Sequence, residues 1–557
     1  MNKPKPIIKN RTDHYIFLLG LSLVTIAISP WWTSDGFNIP KLLFIVLVGF
    51  AIVPRVLNRE LLSTRLMRKM DLILISLFPI NLFIVLIFND TNWIQQFYGE
   101  FGRRTGFITY ISCFLIFLYS ILISSNYFIS KVVKVFVFLG ILSATYGILQ
   151  MFGLVEISAL SSRNKIPYSV FGNIDFNSGF LGLTSIVIFG YILFNFNIKS
   201  KKFYVGLFLL IYIYEAIYLT KSQQGFVVSF TGVVTLILVY VYMKYGNGFR
   251  FKMMCFVSVF FATQFLLGLF DRGIAAKFLY ESSVQARNYY WDAGIKMAIE
   301  NPFLGVGLDR YGDWYWNFRS IEAINFLGPD DFSNSAHSIF IDILSSGGFP
   351  LLITYLILLI LVFKSSIYVL RSKDKLQFEY VSLFACWIAF NVYSLFSIGQ
   401  IGVLVWGWVF SGLLIGSKAE LARIRTDKVT RIKNTPIINT IVLFVGFLIV
   451  LPVVKESSDI KTAIKLNSAS SFLNYLDSFK HEPYNISLAL NNINKLGMEA
   501  KSIKYINEAL SKFPNNYDLW YLLYANRYST NDQKQSALDN LNRLNFYNRI
   551  LAEKKNS

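Results

Sequence analysis

Histidine and cysteine are both scarce in this 557-residue chain, with three of each. Charge is thin as well, at 15% of residues, where a soluble domain carries about a quarter. Each shortage excludes something. Cys113, Cys255 and Cys386 all fall inside apolar runs, so neither a disulfide framework nor a metal-ligand spacing is available, and they read as small buried hydrophobes. No His/Cys/Asp/Glu cluster suggests a metal, and no cofactor is expected. A soluble enzyme is excluded by what fills the gap, since 54% of the residues are hydrophobic. They gather in runs of about 18 residues or more, the length that crosses a bilayer as a helix.

The runs recur from end to end. Lipid cannot satisfy open backbone groups, so a spanning chain is helical or a closed barrel. These runs are too long for barrel strands. The expected fold class is all-α: a polytopic membrane protein of 12–13 transmembrane helices. Thirteen candidate spans start near Tyr15, Lys41, Leu72, Gly106, Lys131, Asn177, Phe203, Phe226 and Phe251, and then near Ser338, Leu376, Ile401 and Thr435. The N-terminal run has no small-residue cleavage site after it and reads as an uncleaved first span.

Lysine and arginine total 53 against 33 acidic residues, a net charge of +20. Position decides what that means. With a cytoplasmic N-terminus every second loop is basic, as with Arg55 and Lys69, Lys131 and Lys134, Lys199 to Lys202, or Lys244, Arg250 and Lys252. This is the charge bias of cytoplasmic loops, not a nucleic-acid footprint. It makes the few outside cations informative: Arg103, Arg104, Arg163, Lys165, Lys221, and Arg287, Arg310 and Arg319 of one long loop.

That extracytoplasmic loop, residues 271–337, is the long polar interruption inside the apolar series. Its segment VQARNYYWDAGIKMAIENP reads as a helix capped by Ser282 or Ser283 and stopped at Asn301–Pro302. Arg287 and Trp291 lie four apart and share a face, an arrangement suited to anion binding by a guanidinium backed by an aromatic. Gly305 and Gly307 allow a tight turn. Asn334 or Ser335 is expected to cap the tenth span, placing His337 in its first turn, where the positive helix end disfavours imidazolium. Glu215 and Asp342 are the main charges inside spans.

A neutral histidine base with several arginines suits a transfer whose leaving group is a phosphate. Further candidates for the donor are Gln223 and Gln224, and Asn173, Asp175 and Asn177 for a sugar pocket. Past residue 456 the chain turns polar. AKSIKYINEALSKFPNNYDLWYLL has tetratricopeptide-like spacing, broken at Pro514, and a related turn lies at Pro483. The expected domains are therefore a transmembrane transferase-like unit, 1–456, and an extracytoplasmic helical-repeat unit, 457–557, whose default role is packing or binding a protein partner.

The stretches ARNYYWDAGIKMAIENPFLGVGLDRY and SAHSIFIDILSSGGFPLLITYL, supported by FYGEFGRRTGFITY, SVFGNIDFNSGFLG and LTKSQQGFVV, resemble the O-antigen ligase and Wzy-type polymerase superfamily. The resemblance runs from about Tyr98 to Leu356. It implies a GT-C-like membrane enzyme that transfers a glycan, without metal, from undecaprenyl pyrophosphate to a glycan, lipid or protein acceptor in envelope polysaccharide synthesis. Its loop arginine corresponds to Arg287 and its histidine to His337. Many members carry Ser-Arg-Gly after the seventh span, whereas this chain reads Ser222-Gln223-Gln224-Gly225. Lys221, Arg103, Arg104 or Arg163 would then replace the missing charge, with Arg310 as a further ligand. The competing readings are a protein O-oligosaccharyltransferase, and a precursor flippase, which would concentrate polar residues within its spans.

Overall fold

The computed structural model of the chain describes residues 11–57, 69–155, 166–279, 282–372, 377–422, 436–478 and 480–545. Among them every regular element is helical. α1 (Arg11–Ile26), α2 (Asn38–Val56), α3 (Lys69–Phe88) and the short α4 (Trp93–Tyr98) come first. They are followed by α5 (Phe107–Ile123), α6 (Asn126–Met151), α7 (Ile174–Phe194), α8 (Lys201–Leu219), α9 (Gln224–Tyr245) and α10 (Phe249–Gly268). The long loop carries α11 (Ser282–Glu300), α12 (Tyr311–Phe318) and α13 (Ile321–Leu327). The chain re-enters the bundle as α14 (Ile339–Arg371), α15 (Phe378–Phe396), α16 (Ile401–Ala422) and α17 (Pro436–Leu466). Five shorter helices finish it: α18 (Ala469–Asp477), α19 (Pro483–Lys495), α20 (Glu499–Lys512), α21 (Tyr517–Ala525) and α22 (Asn531–Leu544).

Among the described residues, eleven helices are long and apolar enough to cross a membrane. The chain is a multi-pass, all-helical membrane protein. The other two expected positions hold α1 and α5, apolar helices of 16 and 17 residues.

The shortest expected span proves central. In α16, 94% of the Ile401–Lys418 stretch is buried, against 6% of α10. α16 reaches the middle because it is small where others cross. A side chain at Gly412 or Gly416 would run into the backbone carbonyls of Phe117 and Ile121 in α5. Such close approach is how helices associate without a hydrophobic drive between them. Polar bonds register the packing: Ser124 Oγ donates to Leu413 O at 2.8 Å, and Trp387 Nε1 to Ser411 Oγ at 2.9 Å.

Alternate connections gather on one face. Asn38 Nδ2 donates to Gly102 O (2.8 Å), Arg103 Nη1 to Asn334 O (2.6 Å), and Ser34 N to Ser457 O (3.1 Å). The connections holding Arg55, Lys131, Lys199 and Lys244 lie at the opposite helix ends, as the alternation of charge requires.

The change in composition at residue 457 does not coincide with a break. α17 runs unbroken to Leu466, so the boundary falls inside a helix that is apolar from Pro436 to Val454 and polar beyond Lys455. The helices beyond share an apolar core around Phe472, Leu490, Ile506 and Leu519. Pro483 is the first residue of α19, where a missing N–H costs nothing, and Pro514 separates α20 from α21. This unit fastens onto the loop face. Tyr484 stacks on Phe101 at 4.2 Å, Tyr517 meets Trp316 edge-on at 4.5 Å, and Arg319 donates to Asn545 Oδ1 at 3.0 Å.

Candidate functional site

The long loop is anchored by a break in α14. Gly347 and Gly348 leave helical geometry, Gly348 at φ +67°, and Pro350 follows. Ser346 O loses its helical donor because residue 350 has no N–H. Ser345 O loses its donor because Phe349 N turns to Pro302 O instead, at 2.9 Å. The two freed carbonyls accept from the loop: Val306 N reaches Ser345 O at 2.8 Å and Gly307 N reaches Ser346 O at 3.2 Å. Gly305, at φ +59°, lies against this backbone so closely that a Cβ would collide with Ser345 O. The Asn-Pro-x-x-Gly-x-Gly turn and the Gly-Gly pair therefore form one backbone joint, which sets α11 against α14.

A second clasp surrounds Arg103. Its Nε pairs with Asp309 at 3.1 Å and its Nη2 with Asp342 at 3.1 Å. Burial would lower its pKa, but the two carboxylates outweigh that and raise it. Asp309 also accepts from Glu100 N (2.8 Å) and Thr105 N (3.0 Å). Asp342 accepts from Ala336 N (2.9 Å) and Ser335 Oγ (2.8 Å), and Ser335 Oγ accepts from His337 N at 2.9 Å. Asp342 is thus the anchor of the histidine loop.

His337 precedes α14 instead of occupying its first turn. The N-cap is Ser338, and His337 sits in the left-handed region at φ +54°, a conformation that costs a non-glycine residue about 1–3 kcal/mol. Its ring lies on Tyr290, centroids 5.3 Å apart and planes 23° apart. Neither ring nitrogen hydrogen-bonds to a described residue. Burial, then the positive charges of Arg287 and Arg103, push its pKa down to about 3. Desolvation and the neighbouring guanidiniums, rather than the helix end, favour the neutral imidazole.

Arg287 is mostly buried yet loosely partnered. Its Nη1 donates to Ser283 O at 3.3 Å, its Nη2 stands 3.6 Å from Asp175 Oδ2, and its buried Nε has no partner. Burial lowers its pKa, against Asp175. Arg104, Arg310 and Arg319 each have several partners. Arg104 pairs with Glu482 at 2.7 Å and faces Asp35 at 3.6 Å. Arg310 donates to Asp313 from Nε at 2.8 Å and pairs with Glu100 at 3.2 Å. Arg319 donates to the carbonyls of Gly328, Pro329 and Asp331. Arg163 lies outside the described residues, as does Lys165.

The remaining candidates divide. Asp175 joins the Arg287 corner, where its Oδ1 accepts from Ser222 Oγ at 2.6 Å. Lys221 is exposed with φ +56°, immediately before Ser222. Gln223 is the exposed N-cap residue of α9, and Gln224 is buried with an unpartnered Oε1. Asn173 caps α7, its Oδ1 accepting from Asp175 N at 2.8 Å. Asn177 is buried, its Oδ1 accepting from Ser143 Oγ and its Nδ2 donating to Pro167 O. Trp291 does not back Arg287. It is buried and packs on Phe270 at 5.7 Å.

Sequence reasoning missed Tyr290, although Arg287 and Tyr290 lie three apart and share a helix face as surely as residues four apart do. It also missed Ser222 and the anchoring roles of Asp309 and Asp342, for which no local signal exists.

No curated protein matches the chain. Residues 207–356, the stretch that holds Lys221, Arg287 and His337, match the family model described as O-Antigen ligase.

Proposed function

We propose that this chain is an integral-membrane glycosyltransferase, moving a glycan from an undecaprenyl-pyrophosphate-linked donor to a hydroxyl acceptor at the extracytoplasmic face. One observation carries the reading: a neutral imidazole stands near a mostly buried arginine, Arg287, whose Nε has no partner among the described residues and whose carboxylate partner is 3.6 Å away. Two lines support it, the match of residues 207–356 to the O-antigen ligase model and the concentration of basic loops on the opposite face.

In this reading Arg287 binds the donor diphosphate, with Lys221 beside it and Gln223 and Gln224 orienting donor groups. Arg103, Arg104 and Arg310 hold the loop in place. The acceptor oxygen attacks the anomeric carbon, the bond from that carbon to the diphosphate oxygen breaks, and the released negative charge falls to Arg287. The acceptor proton goes to His337. A base with a pKa near 3 is weak, since general bases work best near the operating pH. A bound diphosphate offsets the repulsion from Arg287, so the imidazole becomes a stronger base when donor is present.

The test is glycan assembly in a strain lacking this chain, complemented at matched expression by His337→Ala or Arg287→Ala. Each variant should lose roughly a hundredfold or more of the rate. Near-normal product from both would overturn the assignment.

A further inference from the structure

We infer that Asp175 is the resting counter-ion of Arg287, and that a diphosphate enters by displacing it. This rests on the donor-site reading above and adds how the site is held before donor arrives.

The argument is a comparison among ion pairs. The carboxylates paired with Arg103, Arg104 and Arg310 expose between 1% and 15% of their side chains, while Asp175 exposes 32%. Asp175 and Arg287 stand 3.6 Å apart, beyond a good charged hydrogen bond of about 2.7–2.9 Å. Asp175 has other support. Ser222 Oγ donates to it at 2.6 Å, and it lies in the first turn of α7, where the helix end favours negative charge. When released it remains hydrogen-bonded and meets water.

Arg287 has no such alternative. Its side chain is mostly buried, Nε has no partner, and a single carbonyl accepts from Nη1. A buried guanidinium stripped of its anion is costly. The pair is therefore asymmetric: the arginine always requires an anion, and the aspartate can leave. A diphosphate, offering several oxygens in fork geometry, is the better partner. A second buried donor lies close by. The Tyr393 hydroxyl is buried facing Ser397, and its ring packs against Gly179, four residues along α7 from Asp175 and so on the same face.

The experiment uses purified full-length protein in detergent with inorganic pyrophosphate as the probe, read by calorimetry and by the rise in Tm. Asp175→Asn should bind pyrophosphate roughly tenfold tighter than the unaltered protein, from the loss of a competing charge, and should gain more in Tm from it. Ser222→Ala frees the carboxylate to close on Arg287 and should weaken binding severalfold. Unchanged or weaker binding by Asp175→Asn overturns the inference, as does unchanged or tighter binding by Ser222→Ala. The two readings fail differently. If Arg287→Ala binds pyrophosphate as well as the unaltered protein, the donor-site reading falls. If Arg287→Ala alone loses binding and Asp175→Asn gains none, only the counter-ion inference falls.

Discussion

The ring of Tyr290 lies flat against that of His337, 5.3 Å between centroids. The tyrosine is itself held, its hydroxyl sharing Asp331 Oδ2 with Tyr315 Oη at 3.5 and 3.2 Å. An imidazole with no hydrogen bond to a described residue takes its orientation from this stack. Tyr290→Ala should lower kcat about tenfold while changing KM little, because the stack fixes the base and not the donor. Tyr290→Phe, which keeps the ring, should restore most of the rate. A comparable loss in both variants would show that the hydroxyl, not the stack, matters.

Acid should act on the protein through His337. Its ordinary pKa of 6.5 falls to about 3 in the folded chain. Between those values the unfolded chain binds a proton that the folded chain refuses, so stability falls as pH drops from 6.5 towards 3 and is complete above 6.5. His337→Gln should therefore lose less Tm than the unaltered protein between pH 6.5 and pH 4. Equal losses in the two proteins would contradict the buried neutral state.

The arginines should separate by what their removal does. Arg103→Ala leaves Asp309 and Asp342 facing each other without their cation, and breaking such a buried pair costs about 3–5 kcal/mol. A large fall in Tm is expected, with little protein recovered. Arg287→Ala releases a carboxylate that is already partly solvated and should leave Tm near normal while abolishing transfer. The check is thermal unfolding of both variants in the same detergent.

The backbone joint makes a similar demand. Gly348 sits at φ +67°, and a Cβ there would strike the Pro302 carbonyl. Gly348→Ala should destabilise the loop and raise hydrogen exchange at Val306 and Gly307, whose N–H groups cross the joint. Unchanged protection at those two amides would show that the joint tolerates the strain.

Much was legible without coordinates. Hydrophobic run lengths located the spans, and the alternation of Lys131, Lys199 and Lys244 with cation-poor loops assigned their ends to faces, because both signals are local in sequence. The helix Ser282–Glu300 and its stop before Pro302 followed from residue pattern and proline chemistry, although Ser282 and Ser283, the expected caps, lie within it. Arg287, Asp175 and His337 were found as candidates from residue type and position.

Which cations are committed was not legible. Arg103 and Arg287 look alike as outside arginines, yet one is clamped by Asp309 and Asp342, the latter 239 residues away, and the other faces a partly solvated partner. Composition and periodicity describe neighbours along the chain. Charge compensation depends on neighbours across it, and only the folded bundle, by bringing α7, α11 and α14 to one face, decided which guanidinium would be left with bonds to give.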